Sequence, residues 1–144
     1  MVAEFNEGIT SLMLKEAMNH AKRVGAVITF ICKVPGSFDT PIMVKSLLEK
    51  PEVEAVATLG AIIKGDTLHD EVIAHVLSEK LTELSLRYDK PVSLGISGPG
   101  MTWDQGIKRA KEYSRRSVET AVKMVIRTRA VRNLHPKKYP AMIK

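Results

Sequence analysis

The sequence predicts an α/β fold in three layers, a four-stranded parallel sheet with helices on both faces, and two observations carry that expectation. Short apolar, β-branched runs alternate with longer stretches of helical periodicity, the pattern of strands joined by crossover helices. One of those runs, Val53–Leu59, is almost wholly apolar, as a strand is when both faces of its sheet are covered. A chain of 144 residues with 44% hydrophobic side chains has the size of one core-forming domain. It carries no internal repeat or low-complexity linker, so residues 1–144 are read as a single unit.

Val2–Phe5 reads as the first strand. Ile9, Leu12, Met13, Ala17, Ala21 and Val24 then recur at three and four, which predicts an amphipathic helix over Gly8–Val24 closed by Gly25. Ala26–Lys33 is the second strand, broken by Val34-Pro35-Gly36, and a helix follows near Asp39–Lys50 with Pro41 in its first turn. Val53–Leu59 is the third strand. Gly60–Gly65 is expected to be a loop between glycines, with Asp66 or Thr67 capping a helix that reaches about Tyr88. Pro91–Ile96 is the fourth strand and Ser97–Gly100 a loop. Thr102 caps a helix to about Tyr113, a last helix runs from about Arg115 to Asn133, and Pro136 and Pro140 mark an irregular tail from about 134.

The net charge of +6 belongs to the end of the chain: residues 108–144 hold twelve Lys and Arg against two acids. Few aromatics accompany those charges and no stacking or groove-reading motif interleaves with them, which argues against a nucleic-acid partner. A solvated helix face or an anion site accounts for the cluster Lys108, Arg109, Lys111, Arg115 and Arg116 instead. No apolar run has the length of a membrane span, and Glu4 stands where a secretory signal would be basic, so a cytoplasmic protein with no membrane partner is expected. The single cysteine, Cys32, lies in an apolar run and reads as a buried small hydrophobe.

A parallel α/β sheet places its ligand beyond the carboxyl ends of its strands. The loops Phe5-Asn6, Val34–Asp39, Gly60–His69 and Gly95–Gly100 lie there. Gly65-Asp66-Thr67 opens a helix whose free amides suit a phosphate, although an ordinary helix cap explains Asp66 or Thr67 as well. Asp66 would repel a phosphate through its carboxylate, so its contact has to come from the backbone. His69, inside the first helical turn, has the chemistry of a proton shuttle. His69 and His75 are rotated by roughly 240° about the helix, so they do not form a metal pair. The Gly95–Gly100 loop lacks the Lys and Ser/Thr that complete a nucleotide-binding loop and is read as a turn.

Phe5-Asn6, VPGSFDTP at 34–41, LGAIIKGDTLHDEVIAH at 59–75 and KPVSLGISGPGMTWDQGIKRA at 90–110 together resemble the 6,7-dimethyl-8-ribityllumazine synthase family over nearly the whole chain. The SGPGMT form of the fourth loop is similar to its archaeal branch. The resemblance implies a three-layer flavodoxin-like sandwich and a condensation of 5-amino-6-(ribitylamino)uracil with 3,4-dihydroxy-2-butanone 4-phosphate in riboflavin biosynthesis. It implies no metal and no organic cofactor. It also implies a homopentamer with sites between subunits, twelve such rings closing in some members into a 60-subunit icosahedral shell.

Position by position, the resemblance implies that Phe5 stacks on the pyrimidine with Asn6 beside it. Ser37, Phe38 and Asp39 bind the ribityl chain, and Ile62 and Ile63 line the ring pocket. Gly65, Asp66 and Thr67 hold the phosphate, Arg109 pairs with it from a neighbouring subunit, and His69 transfers protons. Arg116 matches a position where relatives often carry a lysine across the same interface. Three positions depart from the pattern. Asp39 replaces the usual Glu, Leu94 stands where many relatives carry an aromatic over the ring, and fewer residues precede Phe5. Two rivals stay open: a pentameric riboflavin synthase of the archaeal type, against which the phosphate turn argues, and a non-catalytic flavin-binding cage protein.

Overall fold

A computed structural model of the chain describes residues 1–135 and 140–144. Strand β1 (Val2–Ala3) leads into helix α1 (Glu7–Arg23), and β2 (Lys33–Val34) into a 3-10 turn at Ser37–Asp39 and helix α2 (Thr40–Leu48). Strands β3 (Val56–Ala57) and β4 (Gly60–Ile63) precede α3 (His69–Tyr88); β5 (Val92–Ser93) and β6 (Ile96–Met101) precede α4 (Trp103–Asn133). β1 pairs with β2, β3 with β5 and β4 with β6, all parallel. A bridge between Val2 and Leu59, and the Gly60 amide donating to the Gly95 carbonyl at 3.4 Å, set the pairs side by side.

The two-residue period of the strands sorts their side chains into two cores. Val2 and Ala61 point to one face, where Ile9, Met13, Ala17 and Ala21 of α1 meet Ala110 and Val118 of α4. Ala3 and Ile62 point to the other, where Val44, Leu47 and Leu48 of α2 meet Leu77 and Leu81 of α3. Ile9 and Met13 are fully buried, and each such side chain contributes roughly 1.5–3 kcal/mol of transfer free energy. The α/β class and the covering of both faces are those the sequence predicts.

Several boundaries differ, each for a physical reason. The third and fourth strands run on through Gly60–Ile63 and Ile96–Met101, which the glycines made look like loops. Gly60 fits because alternation continues across it, and Pro99 fits because β6, among the described residues, pairs with β4 alone and needs no amide there. The sheet is therefore three parallel pairs rather than four unbroken strands. Of Ala26–Lys33 only the end is a strand; Val27, Ile28, Phe30 and Ile31 are exposed, and Cys32 is half-buried rather than buried. The two final helices are one, since residues 107–133 hold no glycine or proline and the buried Ser114 hydroxyl bonds back to the Ala110 carbonyl at 2.6 Å. Helix α3 starts at His69 after Leu68, so neither Asp66 nor Thr67 is its N-cap residue. Pro136 lies outside the described residues.

Candidate active site

Three of the expected loops meet at the carboxyl ends of the strands. Asn6 follows β1 in a left-handed conformation, with φ of 62°, and its side-chain amide donates to the Ala61 carbonyl of β4 at 2.8 Å. Phe5 is tied by its amide to the Pro35 carbonyl at 2.9 Å, and its ring is 71% exposed. An aromatic left that open at a loop tip presents a face on which a planar group can stack. The Ser37–Asp39 turn packs against β1, β4 and α3, with Ser37 buried and Phe38 exposed. Asp39 accepts from the Gly36 amide at 2.9 Å through Oδ2, which fixes the carboxylate at the start of the turn.

Ile62 is buried in the core under α2 and α3, so its contribution to any pocket is its backbone. Ile63 is half-buried and packs with the α1 and α4 core. Beyond it, Gly65, Asp66, Thr67 and His69 are exposed along the approach to α3. The Thr67 hydroxyl accepts from the His69 amide at 3.3 Å, a weak cap in place of the expected one. The amides of Asp66, Thr67 and Leu68 make no hydrogen bond among the described residues. Unpaired amides and an aligned dipole at a helix start are the features that favour an anion.

Among the described residues, the contacts of Arg109 and Arg116 lie within α4 rather than with these loops. Arg109 lies 4.9 Å over the Tyr113 ring and pairs with Glu112 at 3.8 Å. Arg116 pairs with Glu112 at 3.4 Å, and both guanidinium groups remain exposed on α4. Leu94 lies between β5 and β6, 52% exposed. A cavity of about 540 Å³ opens elsewhere, between Val24–Ile31 and the helices α1 and α4, and none of the site residues lines it. Its walls are mainly apolar side chains beneath the irregular Val24–Ile31 segment, and of its charged lining residues Glu54 and Arg129 are paired with each other.

The structure adds Asp70, a buried carboxylate one residue after His69 whose Oδ2 accepts from the Gly100 amide at 2.8 Å. Nothing in the sequence sets it apart from an ordinary acid in a first helical turn.

Comparison with known proteins gives a consistent result. The family model described as 6,7-dimethyl-8-ribityllumazine synthase matches residues 1–129. A protein of that name from Saccharolobus islandicus is 48% identical over 143 residues, covering 99% of this chain and 93% of the relative. One from Metallosphaera sedula is 52% identical over 131 residues, covering 91% and 87%. One from Sulfolobus acidocaldarius is 48% identical over 134 residues, covering 93% and 85%.

Proposed function

The chain belongs to the 6,7-dimethyl-8-ribityllumazine synthase family, and from that premise we propose how its own residues divide the reaction among them. It is a transferase of riboflavin biosynthesis acting on small molecules, joining 5-amino-6-(ribitylamino)uracil to 3,4-dihydroxy-2-butanone 4-phosphate with release of phosphate and water. One observation carries the residue assignment: the open amino end of α3 follows directly from β4, to which Asn6 ties the Phe5 loop.

Phe5 stacks on the pyrimidine, with Asn6 beside it. The backbone of Ile62 and the side chain of Ile63 bound the ring. Ser37, Phe38 and Asp39 hold the ribityl chain, the second carboxylate oxygen of Asp39 accepting from its hydroxyls. The amides of Gly65, Asp66 and Thr67, with the Thr67 hydroxyl, hold the phosphate, and His69 moves protons between the two substrates. Arg109 of a neighbouring subunit neutralises the phosphate, while that neighbour's Leu94 covers the ring and its Arg116 lies at the same interface. The ring amine is a competent nucleophile and phosphate a good leaving group, so placing two substrates side by side supplies most of the acceleration.

The reading extends to the assembly, a cytoplasmic homopentamer of whole 1–144 units. The exposed apolar side chains Val27, Ile28, Phe30 and Ile31 support association, since a monomer in water seldom leaves such a group uncovered. Native mass measurement distinguishes the ring from twelve rings closed into a 60-subunit shell.

The deciding assay mixes purified protein with both substrates and follows lumazine fluorescence and phosphate release. Stoichiometric appearance of both is expected. Dismutation of added lumazine to riboflavin, or ligand binding without turnover, would overturn the assignment in favour of one of the two rivals.

A further inference from the structure

The Gly98–Pro99–Gly100 segment and the buried carboxylate of Asp70 have no part in the roles assigned above, yet the two are joined. Asp70 is only 6% exposed, in the first turn of α3. The helix dipole favours an acid there, but it does not require that the acid bond across to another strand. Asp70 does so: its Oδ2 accepts from the Gly100 amide at 2.8 Å, thirty residues away in sequence. At that distance the contact is a short, direct hydrogen bond.

Two residues before Gly100, the same segment presses on β4. Gly98 has φ of +109°, and a Cβ there would stand 2.5 Å from the Ile62 carbonyl oxygen and 2.9 Å from the Ile62 Cβ. No side chain fits that gap, so the segment and Ile62 are in direct backbone contact. On the far side, the Lys64 amide donates to the Met101 carbonyl at 2.9 Å, closing the ladder where β4 ends. The segment is therefore clamped between Ile62, which bounds the ring pocket, and Asp70, which is rigidly part of the helix that begins with His69.

We infer that Asp70 is a positioning residue: by anchoring the Gly98–Gly100 segment to α3, it fixes how far the ring pocket lies from the phosphate turn and His69. The inference rests on the substrate placement proposed above. Each subsite is built from residues Asp70 does not touch, so its loss leaves each substrate bound and disturbs only their mutual geometry. A reaction accelerated chiefly by juxtaposition is sensitive to that disturbance, an ångström of misplacement costing on the order of a hundredfold.

The test compares Asp70→Ala, which removes the acceptor, with Asp70→Asn, whose side-chain carbonyl restores it at the same length. The expected result is that kcat of Asp70→Ala falls on the order of ten- to a hundredfold, with both KM values and the number of product lumazine sites per chain unchanged. Asp70→Asn recovers most of the loss. The site count separates positioning from simple damage, because a partly unfolded enzyme loses sites in step with kcat. Unchanged kcat in Asp70→Ala, loss of sites in proportion to kcat, or an Asp70→Asn enzyme as slow as the alanine variant would each overturn the inference. If Asp70→Ala does not assemble, Asp70→Ser takes its place, being polar and too short to reach Gly100, with the same outcomes deciding. A wild-type protein that makes no lumazine sinks the functional reading itself; an active wild type with an undiminished Asp70→Ala sinks only the role of Asp70.

Discussion

At the scale of single residues, what matters is whether a side chain does chemistry or holds a place. His69 is exposed at the start of α3, where its backbone amide donates to the Thr67 hydroxyl at 3.3 Å. General acid–base catalysis by such a group contributes at the low end of its range, so His69→Ala should slow turnover about a hundredfold or less and leave measurable lumazine formation. Complete inactivity in a correctly assembled variant would show that proton transfer, not placement, limits the reaction. Gly95 shows the opposite dependence. A Cβ at Gly95 would stand 2.2 Å from the Thr58 carbonyl oxygen and 2.6 Å from the Ser117 Cβ, and neither neighbour is a flexible side-chain end. Ser117 is itself held by hydrogen bonds to Ser93 at 2.9 Å and to the Thr58 carbonyl at 3.1 Å, so the helix cannot retreat. Gly95→Ala should cost roughly 3 kcal/mol, read as a lower denaturant midpoint, while a chain of native stability would mean that α4 shifts away without loss.

At the scale of elements, the helices α1 and α4 are joined by more than apolar contact. Glu16 of α1 accepts from Arg23 at 2.8 Å and lies 3.6 Å from Arg115 of α4, with its side chain largely buried. The hydrogen bond from Arg23 holds the Glu16 carboxyl below the usual carboxylate range, and the charges of Arg23, Arg115 and Lys111 add to the effect. A carboxyl whose pKa is lowered by folding stabilises the folded state above its unfolded pKa, and that stabilisation is lost as pH falls through the folded value. Glu16→Gln should therefore cost about 0.5–1 kcal/mol at pH 7, and the difference from wild type should vanish on acidification below the ordinary carboxylate range. A gap that stayed constant across that titration would mean packing, not charge, joins the two helices. The helices were also the elements most legible in the sequence, because a three-and-four apolar repeat over seventeen or twenty residues has few other solutions. Strand ends were not, since Gly60, Gly98 and Gly100 signal turns locally while here the tertiary ladder carries the strands through them. The placing of the Phe5-Asn6, Ser37–Asp39 and Gly60–His69 stretches at the strand ends was readable from their motifs. Asp70 was not, because its meaning depends on a glycine in another strand.

At the scale of the whole molecule, the reading proposed above has one chain supply the ring platform, the ribityl turn and the phosphate turn, while its own Arg109 lies over Tyr113 on α4. A dianionic phosphate held only by amides at a helix start lacks a full counter-charge, and a second copy offering Arg109 would provide it. In a closed ring each subunit would then give its loops to one site and its arginine to the next. This arrangement has a signature that no site confined to one chain reproduces. His69→Ala keeps Arg109 and spoils the loop side; Arg109→Ala keeps the loops and spoils the cation. Each variant alone should be well below wild type. When the two are unfolded together in equal amounts and reassembled, random placement around the ring unites intact loops with an intact arginine at about a quarter of the interfaces, so about a quarter of wild-type activity should return. If Arg109 served the phosphate within its own chain, every site in the mixture would carry one lesion, and the activity would stay at the average of the two variants.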